Sequence, residues 1–325
     1  MKAIVISEYG GPEVLRIEER PTPEPEADTL IVRVRAFGVN HAEAYFRRGI
    51  WGDVASVTGI ECAGEVSEPG TSGLVRGQSV FALMGGMGRS IDGTYAQYVR
   101  VPNHHVVPIH SSLDWTRLAA LPESYATAWT LLRHNLELRS GETLVVRGGT
   151  SALGQAAINI ARELGASVYA TTRSSDKRQI LEALGAQPLL EEPTLASEVR
   201  RRSPRGVDAV LDIVGSTTVA DSLQMPRYRG RVALAGFLGG AAPLTLDPLG
   251  QMPRGVQLSF FASAFMFGTP DLPLSQIPFA DFVARTEQNL YRAAPAHVFE
   301  FEDIVSAHQL LESGAARGKI VVRVS

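Results

Sequence analysis

The chain is poor in cysteine, in net charge and in long apolar runs. Its one cysteine, Cys62, excludes a disulfide within the chain and is typical of a protein in the reducing cytoplasm, where we expect this one. A formal net charge of −3 over 325 residues gives no reason to expect nucleic acid or an acidic membrane surface as a partner. No run reaches the roughly 18 apolar residues of a membrane span, so no membrane partner is expected either.

The chain does have enough apolar residues for two domains, and its pattern changes along its length. Hydrophobic residues make up 45% of the 325, and domains of about 150 residues are usual. Up to about residue 110, short strands alternate with turns rich in proline and glycine, which is typical of a β domain. From near Asp114, strands and helices alternate, which predicts a parallel sheet with right-handed crossovers.

The alternating segment is predicted to interrupt the β domain. Its predicted strands are Thr143–Arg147, Ser167–Thr172, Val207–Val214, Arg231–Ala235 and Val256–Phe260. After an aromatic-rich loop, the pattern predicts a long helix to about Ala293, a helix near Asp303–Glu312 and a closing strand, Lys319–Val324. These last elements are expected to return to the β domain.

A glycine-rich turn between a strand and a helix is the most informative motif of the chain. Gly148 and Gly149 allow a sharp turn and a close approach to a ligand, and Gly154 lets the helix pack against the strand. Thr150 and Ser151 add hydroxyl donors. Because free N–H groups at a helix N-terminus bind phosphate, this turn predicts a dinucleotide site. The alternative is an ordinary strand-to-helix turn that holds no ligand.

The end of the next strand indicates which dinucleotide is bound. An acidic residue there would hold the ribose 2′-hydroxyl of NAD, but the chain has no carboxylate between Thr172 and Asp176. Arg173, Ser174 and Lys177 offer charge and donors to a 2′-phosphate instead. These residues predict NADP(H). The alternative is that Arg173 and Lys177 only solvate the start of a helix.

Further motifs follow one another in order over nearly the whole chain. They are residues 36–47, 59–66, 127–129, 207–212 with Gly215, 230–232, 236–237 and 318–321. With the glycine turn, they resemble the medium-chain dehydrogenase/reductase superfamily, in its zinc-free quinone oxidoreductase branch. The resemblance implies an α/β protein in which a GroES-like domain (1–118 and 266–325, catalytic and substrate-binding) is interrupted by a Rossmann domain, a doubly wound parallel sheet that binds NADP(H) (119–265).

The resemblance also implies where the coenzyme lies. The pyrophosphate is expected on the turn, at Gly149, Thr150, Ser151, Ala152, Leu153 and Gly154. The phosphate of the adenosine end is expected at Thr172, Arg173, Ser174 and Lys177. Thr127 is expected beside the nicotinamide or its ribose, and its pocket is expected to be lined by Val214, Gly236 and Phe237.

Two residues depart from the pattern of that family. Ser151 stands where a glycine is common, and a serine fits there if its dihedral angles are ordinary. Glu192 falls near where a quinone reductase often has a tyrosine close to the 2′-phosphate. A carboxylate at that place would repel the phosphate, so Glu192 argues against NADP(H).

A zinc site is not expected. A catalytic zinc needs about three protein ligands, and in zinc-bearing relatives a cysteine and a histidine stand where this chain has Asn40 and Ile60. A structural four-cysteine lobe is impossible with the single Cys62, which is expected to be a buried apolar-like residue. Without a Lewis acid to deprotonate an alcohol, reduction of an electron-poor acceptor is favoured over alcohol oxidation.

Aromatic residues indicate the kind of substrate. The resemblance implies that Asn40 and Tyr45 face the substrate, with Tyr45 orienting a carbonyl or supplying a proton. Trp51, Phe237 and Phe265 are candidate pocket walls that suit an apolar, aromatic acceptor. The alternative for the phenylalanines near 265 is packing in a core or at a dimer interface.

The favoured function is therefore NADP(H)-dependent, zinc-independent hydride transfer to a quinone or an α,β-unsaturated carbonyl. Two alternatives stay open. One is an enoyl reductase that acts on a thioester or polyketide intermediate, and the other is an NADPH-binding redox sensor with negligible turnover. A homodimer through the edge strand of the Rossmann sheet is also expected.

Overall fold

Strands supply the framework of both parts of the chain. The computed structural model describes residues 1–240, 242–252 and 255–325. Its strands are β1 (Lys2–Ile6), β2 (Leu15–Glu19), β3 (Thr29–Val39), β4 (Glu61–Glu68), β5 (Ser79–Leu83), β6 (Tyr98–Pro102), β7 (Val106–Pro108), β8 (Thr143–Arg147), β9 (Ser167–Thr172), β10 (Gln187–Leu190), β11 (Val207–Asp212), β12 (Pro226–Leu234), β13 (Gln257–Phe260), β14 (His297–Glu300) and β15 (Ile320–Arg323).

The α-helices lie between these strands. They are α1 (His41–Arg47), α2 (Trp115–Leu118), α3 (Pro122–Thr130), α4 (Ala152–Glu163), α5 (Arg178–Ala183), α6 (Leu195–Arg202), α7 (Val219–Ser222), α8 (Pro248–Gln251), α9 (Ser263–Met266), α10 (Phe279–Glu287) and α11 (Ile304–Glu312). Within the described residues, none of these helices has both the length and the apolar character needed to cross a membrane.

The first unit comprises Met1–Ala126 and Ser263–Ser325. Its main sheet has the order β14-β15-β3-β4-β5-β7, with β6 also paired to β3, and β1 and β2 form a separate antiparallel pair. The C-terminal strand β15 pairs with β3 so that Ile320 lies opposite Val39. This pairing brings the end of β3, the start of β4 and the start of β15 to one edge region of the sheet.

The second unit comprises Thr127–Ala262. Its six strands are all parallel, in the order β10-β9-β8-β11-β12-β13. Numbered from its own first strand, this is the 3-2-1-4-5-6 order of a Rossmann sheet. The strand order reverses between β8 and β11, and ligands of such sheets bind beyond the carboxyl ends of the strands at this point.

The predicted fold class is confirmed, and several element bounds agree with the sequence-based expectation. The strands expected at Thr143–Arg147 and Ser167–Thr172 have those bounds. The helix expected to reach about Ala293 is shorter, because α10 ends at Glu287 and Asn289 takes a left-handed conformation (φ 57°). The domain boundaries expected from the sequence stay a prediction.

Candidate coenzyme and substrate sites

The glycine turn of the second unit joins β8 to α4. Gly148 has a φ of +81°, a conformation that favours glycine, and its N–H donates to the Thr171 hydroxyl (3.0 Å). The N–H of Gly149 donates to the Thr171 carbonyl (3.0 Å). A Cβ on Gly149 would lie 2.9 Å from the Cβ of Ala170. The turn is therefore hydrogen-bonded to the neighbouring strand β9, and a side chain at Gly149 would collide with that strand.

Ser151 is the N-cap of α4. Its φ and ψ of −72° and 164° are ordinary extended values, so a serine fits where relatives often have glycine. The hydroxyl accepts from the Gly154 N–H (3.0 Å) and donates to the Gly148 carbonyl (2.8 Å). It is thus used in closing the turn, whereas the N–H groups of Ala152 and Leu153 lie ahead of the intrahelical ladder and can meet a phosphate.

Gly154 lets α4 approach the turn closely. A Cβ there would lie 2.8 Å from the Gly149 Cα and would overlap the Gly148 carbonyl oxygen. The lack of a side chain thus lets the first turn of α4 lie directly against the residues of the glycine turn.

The loop after β11 is organised by the buried carboxylate of Asp212. Asp212 accepts from the N–H groups of Val214 and Gly215 (both 2.9 Å) and from the hydroxyls of Thr218 (2.9 Å) and Ser222 (2.6 Å). Val214 is held half-buried beyond the end of the strand. Four donors to one carboxylate fix the course of this loop at the switch point of the sheet.

The loop after β12 lies against the loop after β11. Gly236 has a φ of +125°, and a Cβ on Gly215 would lie 2.8 Å from the Gly236 carbonyl oxygen. The ring of Phe237 lies 5.8 Å from that of Phe260, centroid to centroid. Val214, Gly236 and the glycine turn thus all lie at the carboxyl edge of the parallel sheet.

The residues after β9 form a short, mostly exposed loop. Thr172 is buried and its hydroxyl donates to the Ser174 carbonyl (3.2 Å), whereas Arg173 is exposed and Lys177 half-buried. The Ser174 hydroxyl donates to the Asp176 carboxylate. The loop therefore carries two cationic side chains, Arg173 and Lys177, while its Ser174 hydroxyl is engaged by a carboxylate. Glu192, the residue that argued against NADP(H), is exposed.

Thr127 lies apart from these loops in sequence, on α3. It is buried, at 4% exposure.

Arg147 is a functional candidate that the sequence analysis missed. It is the last residue of β8, directly before the turn, and only 1% exposed. Its guanidinium donates to the Thr218 carbonyl (3.0 Å) and the Asp221 carboxylate (2.9 Å), and it pairs with Glu191. A buried cation thus links the ends of β8, β10 and β11 beneath the turn. The available signal was an arginine that ends an apolar strand.

In the first unit, α1 begins with a reciprocal cap. The Asn40 N–H donates to the Glu43 carboxylate (2.8 Å), and the Asn40 side chain caps the first turn of the helix in return. The Asn40 amide also donates to Glu61 (3.0 Å), and its oxygen accepts from the Lys319 ammonium (2.6 Å). Asn40, expected to face the substrate, therefore has its side chain engaged in a cluster that we call the Glu61 cluster: Asn40, Glu43, Glu61 and Lys319.

Burial shifts the pKa of Glu43 in this cluster and that of the neighbouring His41. Removal from water raises the pKa of the Glu43 carboxyl to about 8, against the opposing attraction of Lys319. Burial, with Arg48 and Lys319 nearby, lowers the pKa of His41 to about 4. At neutral pH the cluster therefore has a protonated Glu43 beside the Glu61–Lys319 ion pair.

Tyr45 and Trp51 lie together in the first unit. Their ring centroids are 4.9 Å apart, and Trp51 also meets Phe46 edge-on at 5.5 Å. Tyr45 is half-buried, which raises the pKa of its hydroxyl. Phe265 is 65% exposed beneath the guanidinium of Arg89, which lies 4.7 Å from its ring. Tyr45 therefore offers a hydroxyl group beside the apolar ring of Trp51.

Metal-ligating side chains do not cluster in the described part of the chain: no three of the histidine, cysteine, aspartate and glutamate side chains there are placed to share an ion. Cys62 is fully buried, as expected, and burial raises the pKa of its thiol. His104 and His105 lie in a short 3₁₀ turn with their rings 4.5 Å apart. His105 is used structurally, because its Nδ1 bonds the Leu83 carbonyl (2.9 Å).

Comparison with known proteins places this geometry in a family. The description "Alcohol dehydrogenase GroES-like domain" matches residues 26–111, and "Zinc-binding dehydrogenase" matches residues 152–274, so the two together span well over half of the chain. The chain belongs to the medium-chain dehydrogenase/reductase superfamily. The predicted membership is confirmed, and the first unit is its GroES-like part.

Individual relatives of this chain are distant, and those described here match over nearly the full length. Quinone oxidoreductase from Lama guanicoe is 26% identical over 99% of this chain and 97% of its own. The structure of a mycobacterial protein complexed with NADPH is 26% identical and superposes with a TM-score of 0.88 over 99% of both chains. An NAD-dependent alcohol dehydrogenase is 28% identical, with a TM-score of 0.85 over 100% of both chains. These likenesses establish an oxidoreductase of this superfamily.

Proposed function

We propose that this medium-chain reductase transfers a hydride from NADPH to a quinone or an α,β-unsaturated carbonyl, without zinc. The observation that carries the proposal is the turn Gly148–Gly154 at the switch point of the parallel sheet. Its glycines let the backbone turn sharply, with Gly148 at a φ of +81°, and the first N–H groups of α4 lie ahead of the intrahelical ladder, where a phosphate can bind them. When bound there, the coenzyme would supply hydride from C4 of its nicotinamide.

The loop after β9 supports NADPH over NADH. Arg173 is exposed and able to reach a 2′-phosphate, with Lys177 four residues further on. A guanidinium suits a phosphate because it can donate two parallel hydrogen bonds. The Asp176 carboxylate is already engaged by Ser174, which reduces its availability to a ribose hydroxyl. The NADPH complex of the mycobacterial relative agrees with this proposal, and the NAD-dependent relative stands against it.

The donor set of the Glu61 cluster supports a zinc-independent reaction. Where zinc-bearing relatives have a cysteine, this chain has the Asn40 amide, which binds the Lys319 ammonium. A fixed cation at this place opposes binding of a second one. Tyr45 and Trp51 would then face an apolar acceptor. Reduction of a quinone needs one hydride and one proton, and Tyr45 would orient the carbonyl or donate that proton.

A homodimer and a cytoplasmic location remain proposals. The dimer is supported by β13, the edge strand of the parallel sheet, on which Phe260 is 51% exposed. The location rests on the single cysteine.

The test follows the absorbance of NADPH and NADH with 1,4-benzoquinone, 9,10-phenanthrenequinone and a simple enone, using metal-stripped protein. We expect rapid loss of NADPH with a quinone and little use of NADH. An Arg173→Ala variant should raise the Kd for NADPH about tenfold, the equivalent of one charged hydrogen bond, and leave that for NADH unchanged. Arg201→Ala is the matched control, since Arg201 is exposed and pairs with Glu198 on α6.

Three other results of this assay would contradict the proposal or favour another function. A preference for NADH would overturn the role of Arg173. Consumption with an enoyl thioester, but with no quinone, would indicate an enoyl reductase. Tight binding of NADPH with no consumption would indicate a redox sensor.

A further inference from the structure

We infer that Glu61 is a positioning residue, whose carboxylate holds the first turns of both α1 and α3, the helices that carry Tyr45 and Thr127. The inference rests on the proposed function, because that function assigns those two residues to the substrate and to the nicotinamide. Glu61 itself is fully buried. It acts through its neighbours and not on the reacting atoms.

Both oxygens of the Glu61 carboxylate are used, each toward a different helix. Oε1 accepts from the Asn40 amide (3.0 Å) and from the Lys319 ammonium. Oε2 accepts from the backbone N–H of Glu123 (2.7 Å). The Glu61 carbonyl also accepts from the Thr94 hydroxyl (2.8 Å), which fixes the strand that carries the carboxylate.

The two contacts fall at helix starts, where backbone N–H groups lack partners within the helix. Asn40 is the N-cap of α1, and Tyr45 lies on that helix. Glu123 is the second residue of α3, and Thr127 follows one turn later. An anion at these places also has favourable interactions with the helix dipoles. Movement of the carboxylate would therefore shift both helix starts together.

The surroundings hold the Glu61 carboxylate in place. Lys319 is 5% exposed and supplies the compensating cation. Gly38, on β3, has no side chain where a Cβ would overlap Glu61 Oε1 and lie 2.6 Å from Lys319 Cε. The neighbouring Glu43 has a pKa raised to about 8, so at neutral pH it adds little competing negative charge. A buried pair with this support is costly to break, because one charge would be left unpaired.

The test compares Glu61→Gln with Glu65→Gln. Both residues are on β4, and Glu65 pairs with Arg35 (2.6 Å) in a half-buried position outside the cluster. We expect Glu61→Gln to lower kcat for NADPH and quinone by about 10- to 100-fold, as misplacement of reacting groups does, with a smaller change in KM. Glu65→Gln should leave both constants within about twofold.

A second readout does not depend on turnover. Amide hydrogen exchange at Glu123 should rise at least tenfold in Glu61→Gln and stay unchanged in Glu65→Gln, since that N–H donates to the Glu61 carboxylate and Glu65 pairs with Arg35 instead. If the wild type consumes no NADPH, the proposed function fails while this exchange experiment still tests the positioning role. Unchanged exchange at Glu123 would overturn the role whatever the activity.

Asn40→Ser covers the case in which Glu61→Gln does not fold. Serine preserves an N-cap, but its short side chain cannot bridge to Glu61 and Lys319. We expect a reduced kcat with a melting temperature close to that of the wild type. Lys319→Arg should retain more activity than Lys319→Met, because arginine keeps the cation. A loss of melting temperature in these variants with kcat of the folded enzyme unchanged would reduce the cluster to a structural role.

Discussion

At the scale of single residues, the first unit contains a histidine that burial keeps neutral. His308, on α11, lies fully buried with its Nε2 3.0 Å from the Tyr95 hydroxyl, and its Nδ1 has no hydrogen-bond partner among the described residues. Burial, with the charge of Arg47 nearby, lowers the pKa of His308 to about 3. An imidazole in an unfolded chain has a pKa near 6.5. Acid therefore favours the unfolded chain.

The first prediction concerns His308→Phe. Because the unfolded chain binds the proton first, His308 costs the folded state roughly 1.4 kcal/mol per pH unit as pH falls from about 6.5 toward 3. Phenylalanine removes this dependence, so the variant should lose less free energy of unfolding between pH 7.5 and 4.5. The Tyr95 hydroxyl loses its partner, which lowers stability by about 1–3 kcal/mol at both pH values.

Urea unfolding at the two pH values measures the effect. His110→Gln is the control, because His110 is exposed. His41 contributes with the same sign as His308 and Glu43 with the opposite sign, since their pKa values are lowered to about 4 and raised to about 8. Only the difference between variant and wild type isolates His308. An equal pH dependence in both proteins would contradict the assignment.

Residue roles were predictable from the sequence where the partners are close in the chain. The places of Ser151 and Gly154 in the turn follow from a ten-residue pattern, and in the structure Gly154 lies directly against Gly148 and Gly149. The Glu61 cluster was not predictable, because Lys319 lies 279 residues from Asn40 and 258 from Glu61. No local pattern pairs residues at that distance. Arg147 was missed for the same reason, since its partners follow other strands.

At the scale of elements, α4 offers a test in which two effects have opposite signs. Alanine is a better helix former than glycine by about 0.8–1 kcal/mol, so Gly154→Ala should stabilise an isolated helix. In the structure its Cβ would lie 2.8 Å from the Gly149 Cα. Overpacking of this kind costs about 1–3 kcal/mol. We expect the steric effect to prevail, with lower stability and weaker NADPH binding.

Urea unfolding and titration with NADPH measure the two effects of Gly154→Ala. Ser151→Ala is the comparison, since it removes the cap alone at a cost of about 1 kcal/mol. If Gly154→Ala proved as stable as the wild type, α4 would not pack against the turn as described.

Element ends were harder to predict than element types. β12 begins at Pro226, before the expected Arg231, since its first residues are polar and do not look like a strand. Its partner β11 extends the pairing, with a register shift between Val207 and Ala209. α10 ends where Asn289 turns left-handed, and no glycine marks that stop. Pairing with β11 thus sets the start of β12, and the left-handed conformation of Asn289 sets the end of α10.

At the scale of the whole molecule, the alternation of strands and helices predicted the parallel sheet of the second unit. The first unit is different, because its sheet joins strands from both ends of the chain, with β15 beside β3. Periodicity does not show such pairing, and only the family resemblance implied it. All the residues proposed to bind the coenzyme lie in the second unit, and Tyr45 lies in the first.

This division predicts how the coenzyme changes unfolding. NADPH at 100 times its Kd stabilises the folded second unit by about 2.7 kcal/mol, which raises its melting temperature by a few degrees. NADH at the same concentration should do less, because it binds more weakly. Scanning calorimetry measures both shifts.

Two variants assign the unfolding transitions to the units. His308→Phe should lower the melting temperature of the first unit, and Gly154→Ala should lower that of the second. Equal shifts with both coenzymes would contradict the NADPH preference. A shift of only the transition that His308→Phe lowers would show that the coenzyme binds to the first unit, against the proposal.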